Sequence, residues 1–292
     1  MAIAAGLYMP AANGLAGIIV PGNMRGRALA IVSAGQTLAI ALGLPLGGVI
    51  GQYFGWRATF LLVSAMSVFA VIGISMGIAH DAGQGGAIAS LRERASVIRQ
   101  QPIQRLLVVS LFWAIGGFAA YPYIAEDLNA VLGFGPNSIT ATVSLWGLAA
   151  AAGVMTGGVF NDRYGADRVV HGSLVLLCFS FLALAVFSVL PSQLVLVPIL
   201  VAIAIWGFTV WSFFPAQMTR LIAAGNTAQA PIALALNTSI MYLGFSIGSS
   251  LGAVVLGTGA IWGIGSLAAV AELAAFSLNV VMHRRAALQV RS

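Results

Sequence analysis

The sequence predicts an all-α, polytopic membrane protein with about nine transmembrane helices, and three observations predict it. Sixty per cent of its 292 residues are hydrophobic and 7% are charged, whereas a soluble domain carries roughly a quarter charged residues. The apolar residues gather in nine runs, approximately 2–20, 27–51, 58–79, 105–125, 139–160, 169–190, 193–214, 229–256 and 259–282. Each is close to the ~20 residues a helix needs to cross a hydrocarbon core of ~30 Å. The thirteen basic residues are all arginine, and twelve of them fall in alternate connecting segments. Those segments carry Arg25 and Arg27; Arg92, Arg94, Arg99 and Arg105; Arg163 and Arg168; Arg220; and Arg284, Arg285 and Arg291, with Arg57 the exception. Successive crossings put alternate loops on one face, and arginine is retained on the cytoplasmic one. Barrel strands are excluded, because they alternate lipid-facing and lumen-facing residues over about ten positions, and these runs are longer and uniformly apolar.

Taken in order, the first run ends at Arg25 and Arg27 and must enter from outside, with no basic n-region or cleavage site ahead of it. The second run closes on a glycine-rich stretch, Gly43 to Gly51, and the third follows at once. The longest polar stretch, 81–104, places Ile88, Leu91, Ala95 and Ile98 at helical spacing among arginines, the pattern of an amphipathic helix lying on the membrane surface. Six runs follow, with turn residues at Gly133 to Pro136, Pro191-Ser192 and Gly225-Asn226 in the segments between them. The terminal cluster Arg284, Arg285 and Arg291 puts the C-terminus in the cytoplasm of a cell (inner or plasma) membrane protein.

Composition also excludes functions. The net charge of +6 sits in short loops beside membrane ends, where it meets lipid headgroups rather than nucleic acid. Cys178 has no second cysteine to pair with, and His80, His171 and His283 are scattered near span ends, so no metal or cofactor is expected. No Ser/His/Asp or paired-carboxylate constellation is available for covalent chemistry, so no enzyme is expected.

Three motifs carry a family resemblance. In GLPLGGVIGQYFGWRATF, Gly43, Pro45, Gly47 and Gly48 let a helix bend and approach a neighbour closely. In GGVFNDRYGADR, the Gly158, Asp162, Arg163, Gly165 and Arg168 positions form a charged turn between two spans. In ALNTSIMYLGFSIGSSLGAVVLG, Gly244, Gly248 and Gly252 form a small-residue stripe for helix packing. Together they resemble the major facilitator superfamily, in its drug-proton antiporter branch and its arabinose-efflux-like wing. The first motif is similar to that family's fifth helix, the second to its cytoplasmic loop between helices eight and nine, and the third to its eleventh helix. Leu44 stands where the common form has a second glycine, and Ala166 and Asp167 interrupt the basic pair expected after Gly165.

The resemblance implies a secondary transporter that exports small molecules, sugars or drugs, by proton antiport and alternating access. Its partners would be the substrate, protons and the lipid bilayer, and the protein would be a monomer. It also implies that the chain begins late in a twelve-helix architecture. On that reading residues 1–80 are helices four to six, 81–104 the cytoplasmic linker, 105–283 a six-helix C-terminal bundle and 284–292 a cytoplasmic tail. The alternative is a non-transporting fragment of such a transporter.

Individual polar residues leave their roles open. Asp162 could pair with an arginine or cap a helix, as a latch on a cytoplasmic gate. Tyr121 and Tyr123 lie on the run that resembles a cavity-lining helix, and Asn237 could meet substrate or bond a neighbouring helix. Glu126 and Asp127 could be solvated helix-end acids or an external gate facing Arg57. Glu272 sits midway along the last run, where a carboxylate is costly, and is either structural or linked to proton movement.

Overall fold

The computed structural model describes residues 25–78, 96–225 and 229–289, with isolated positions at 8, 12 and 15. Every regular element among them is helical: α1 (Arg25–Phe54), α2 (Trp56–Gly77), α3 (Gln101–Ala120), a 3-10 turn (Tyr121–Tyr123), α4 (Ile124–Leu132), α5 (Pro136–Tyr164), α6 (Ala166–Phe187), α7 (Ser192–Ala224), α8 (Ala230–Gly257) and α9 (Ile261–Gln289). Seven segments, Trp56–Gly77, Gln101–Leu132, Pro136–Tyr164, Ala166–Phe187, Ser192–Ala224, Ala230–Gly257 and Ile261–His283, are long and apolar enough to cross a membrane. Helix α1 occupies the second expected span. The first expected span apart from positions 8, 12 and 15, residues 81–95 of the expected surface stretch 81–104, and residues 290–292 lie outside the described residues.

The chain divides into two units, Met1–Ile88 and Ala89–Ser292. In the first, α1 and α2 form a pair joined at Gly55, whose φ of 81° suits glycine. Gly47 and Gly51 lie one helical turn apart and face Thr59, whose hydroxyl donates to the Gly47 carbonyl at 3.4 Å. No residue of α2 is buried.

In the second unit α3 packs on α8 and α9, α5 on α7, and α6 on both α7 and α9. Each of these contacts but α6–α7 is made through glycine. Gly153 and Gly157 of α5 lie against the backbone of Phe208 and Ser212, and Gly207 of α7 against the backbone of Trp146. Gly265 of α9 rests on the backbone of Phe181 and Ala185, and Gly116 of α3 on Glu272 and the Ala268 carbonyl. Gly244, Gly248 and Gly252 of α8 rest on α3 and Tyr123. Lipid tails are as apolar as leucine, so burying apolar area between helices gains little there and close backbone approach matters more. Helices α6 and α7 join instead through hydroxyls, Ser173 with Ser212 at 3.2 Å and Ser180 to the Ala202 carbonyl at 2.6 Å. Large apolar side chains such as Phe179, Leu194 and Val254 point outward, where lipid covers them.

The α8 stripe, expected as a packing face for another helix, is seated on α3. Small Ala114 and Ala119 and the backbone between them leave room on α3 for a helix with no side chains in its way.

Candidate functional site

Helix α7 runs 33 residues, about 50 Å at 1.5 Å per residue, so its last turns reach past a ~30 Å core. Those turns collect the polar side chains at one end of the second unit. Gln217 is buried and donates to the Leu106 carbonyl at 2.8 Å and to the Ser110 hydroxyl at 3.0 Å, tying α7 to α3. Asn161 of α5 donates to the Thr219 hydroxyl at 3.2 Å. Arg220 donates to Gln217 at 3.2 Å and pairs with Asp167 in the first turn of α6, Nε to Oδ1 at 2.9 Å. The apolar cluster of Val97, Ile103, Leu106, Leu107, Leu221 and Ala233 lies at the same end. One helix end thus holds α3, α5 and α6 together.

The residues expected at the gate lie around this ion pair. Asp162 and Arg163 are exposed in the last turn of α5, which runs to Tyr164, and the Arg163 guanidinium stands 5.5 Å from the Tyr164 ring centre. Gly165 separates α5 from α6 with φ of 85°, a backbone that disfavours any side chain. Arg168 is exposed, and a Cβ on Gly158 would meet nothing within 4 Å. Among the described residues the ion pair here is Asp167 with Arg220 rather than Asp162 with an arginine. Sequence reasoning missed it. The signal was an acid in a helix's first turn, where the dipole favours it, combined with a lone arginine near the next helix end.

A second feature is an aromatic chain through the second unit. Trp113 stacks on Phe213 at 4.7 Å between ring centres, Phe118 on Phe245 at 3.8 Å, and Tyr121 lies 4.8 Å from Trp146 and 5.5 Å from Phe118. Trp146 meets Trp206 edge-on at 5.6 Å, and Phe181 continues the chain at 5.1 Å from Trp206. These tryptophans are interior, not interfacial as their residue type suggests. Pro122 cannot continue α3 and forces the 3-10 turn that aims Tyr121 inward. Tyr123 instead turns to α8, its hydroxyl donating to the Ser249 carbonyl at 2.6 Å. Tyr123→Phe is therefore expected to cost about 0.6 kcal/mol, the average for hydrogen bonds between membrane helices, read as a small drop in thermal midpoint.

The buried polar residues stand apart from one another. Asn237 is 1% exposed, its amide nitrogen 3.5 Å from the Met241 sulfur, and its carbonyl oxygen has no partner among the described residues. Glu126 is exposed, while Asp127 is half-buried and lines a small cavity with Trp206, Ala120 and Gly265. Glu272 is 0% exposed, and neither carboxyl oxygen has a hydrogen-bond partner among the described residues. Arg57 lies over the Trp56 ring at 4.6 Å.

Comparison with known proteins adds family context. The model of the Major Facilitator Superfamily matches residues 1–123. An uncharacterized MFS-type transporter, YbcL of Bacillus subtilis (strain 168), is 24% identical over 254 residues, which cover 87% of this chain and 63% of that protein. The chain thus spans less than two thirds of that relative's length. A bacterial homolog of the human lysosomal transporter Spinster, solved in an inward-facing and unoccupied conformation, superposes with a TM-score of 0.57 at 16% identity. That alignment covers 92% of this chain and 71% of that one. The chain is a multi-pass membrane protein, and its fold is that of the major facilitator superfamily transporters.

Proposed function

We propose that the protein is a secondary transporter of a cell membrane, exporting a small molecule in exchange for protons by alternating access. Two helical bundles, one including residues 1–80 and the other formed by 105–283, would rock about a site near the midplane, joined by the linker at 81–104. The C-terminus would be cytoplasmic and the working unit a monomer. Similarity of the Gly43–Gly48 segment to exporters supports the outward direction and a sugar or an amphipathic drug as substrate. Tyr121, at the bend of α3, and Asn237, with an unused carbonyl oxygen, are the side chains we assign to substrate contact. The latch around Gly165, Asp167 and Arg220 would hold one gate, with Asp162, Arg163 and Arg168 around it.

The observation that carries proton coupling is Glu272, enclosed on every side with neither oxygen bonded. An ionised carboxyl in such surroundings is costly. A group that takes up a proton on one side and releases it on the other needs this property, because release then waits until its surroundings change. Glu126 and Asp127 would be the acids at the far end of the proton's route.

The test is export from proteoliposomes, with labelled arabinose and ethidium as probes and a pH gradient of one unit. One unit is worth 1.36 kcal/mol per proton, so the wild type should concentrate a probe up to about tenfold. Glu272→Gln should keep exchange of labelled for unlabelled probe and lose the gradient-driven accumulation. Accumulation by that variant at the wild-type level would remove Glu272 from the mechanism, and gradient-independent levels in the wild type would remove proton coupling.

A further inference from the structure

We propose that the groove between α6 and α7 that opens at Arg168 is a site for an anionic phospholipid, with the phosphate on the guanidinium and an acyl chain in the groove. The groove has a volume of about 270 Å³, and its walls include Phe160 and Tyr164 of α5, Val169 and Leu176 of α6 and Phe208 of α7. At Leu176 it meets a second cleft of about 390 Å³ whose walls include Phe179, Pro198 and Val201. From Arg168 to Leu176 is eight residues of helix, about 12 Å, close to one leaflet's share of a ~30 Å hydrocarbon core.

The serine and threonine hydroxyls in these walls are already engaged. Ser173 and Ser212 bond each other at 3.2 Å, Thr209 donates to the Ile205 carbonyl at 2.6 Å, and Ser180 donates to the Ala202 carbonyl at 2.6 Å. A sugar or other polar solute would find little to bond along this length, whereas a hydrocarbon chain needs nothing more. The mouth differs in kind. Arg168 is exposed and has no ion pair among the described residues. The adjacent acid, Asp167, is held by Arg220, and Arg163 adds a second cation over the Tyr164 ring. A cation at the head of an apolar slot one leaflet deep matches a lipid whose headgroup is negative, and basic pockets between membrane helices bind such headgroups.

Gly172 supplies the means of testing the slot apart from its mouth. It lines the groove, and a Cβ there would meet nothing within 4 Å, so a larger side chain enters the groove without displacing protein. Native mass spectrometry of the purified full chain would count bound phosphatidylglycerol against phosphatidylcholine of the same acyl composition. The wild type should hold a phosphatidylglycerol adduct in preference. Arg168→Gln should reduce that preference about fivefold, since one basic residue near an anionic surface is worth about 1 kcal/mol, while Arg168→Lys keeps it. Gly172→Leu should remove the adduct while leaving the elution profile unchanged, and Arg57→Gln should alter neither. A wild type without headgroup preference, an unchanged preference in Arg168→Gln or wild-type occupancy in Gly172→Leu would each overturn the assignment.

Discussion

Replacing Gly248 with leucine is expected to leave no correctly folded protein. A Cβ at this position falls on the Ile115 carbonyl oxygen and lies 3.0 Å from the Ala119 nitrogen, so the obstacle is backbone, not a side chain that can rotate away. Helix α3 cannot retreat, because Gly116 presses its other face against Glu272 and the Ala268 carbonyl of α9. Overpacking a tight interior by a few methylenes costs ~1–3 kcal/mol, and here a whole side chain meets main chain from both directions. The cost should exceed about 3 kcal/mol, a large part of the ~5–15 kcal/mol that holds a typical protein folded. Gly257→Leu is the control, since its Cβ meets nothing within 4 Å at the exposed end of the same helix. Fluorescence-detected size exclusion should show a monodisperse peak for Gly257→Leu and aggregate or nothing for Gly248→Leu. Elution of Gly248→Leu at the wild-type position, with an unchanged thermal midpoint, would contradict this packing.

That stripe illustrates what was legible in the sequence. Membrane helices announce themselves because lipid demands ~20 apolar residues in a row, so the segments from Trp56 onward lie close to the expected runs. Their ends were less legible. A window matched to the bilayer stops the seventh run at 214, while α7 continues to Ala224 because helices need not end where the lipid does. Small residues at 244, 248 and 252 mark a packing face, but the partner is decided by which other helix has room, and α3 could not be picked out from spacing alone. The candidate site was less legible still. Arg220 entered the sequence reading as a marker of topology, and its pairing with Asp167, 53 positions away, depends on how α6 and α7 cross. The family pattern directed attention to Asp162 instead. Trp113, Trp146 and Trp206 carry a residue type that favours interfaces, and only the fold shows them lining up inside.

The Asp167–Arg220 pair yields an expected result that runs against simple counting of salt bridges. Arg220 is 10% exposed and Asp167 53% exposed, so the two partners differ in what each leaves behind. Asp167→Asn leaves a largely enclosed guanidinium with Gln217 as its remaining partner. Breaking a fully buried pair costs 3–5 kcal/mol, and with half of Asp167 in solvent the cost should fall to about 1–2 kcal/mol. Arg220→Met leaves a carboxylate that water can solvate and takes the donor from the buried Gln217 oxygen, while the methionine stem keeps much of the packing, so its cost should be about 1 kcal/mol, the low end for an orphaned buried acceptor. The double variant removes the uncompensated cation and should be more stable than Asp167→Asn alone, with a coupling of about 1 kcal/mol. At roughly 2–4 °C per kcal/mol for a chain of this order of size, thermal midpoints should rank the wild type first, then Arg220→Met with the double variant, then Asp167→Asn. A structural pair and a gating latch separate at this point. If the contact holds a gate, Asp167→Asn and Arg220→Met should change export rate alike despite their different stabilities, because both free the start of α6 from the end of α7. Rates that follow the stability ranking instead would make the pair a structural tie, and a midpoint for Arg220→Met below that of Asp167→Asn would refute the unequal burial on which the ranking depends.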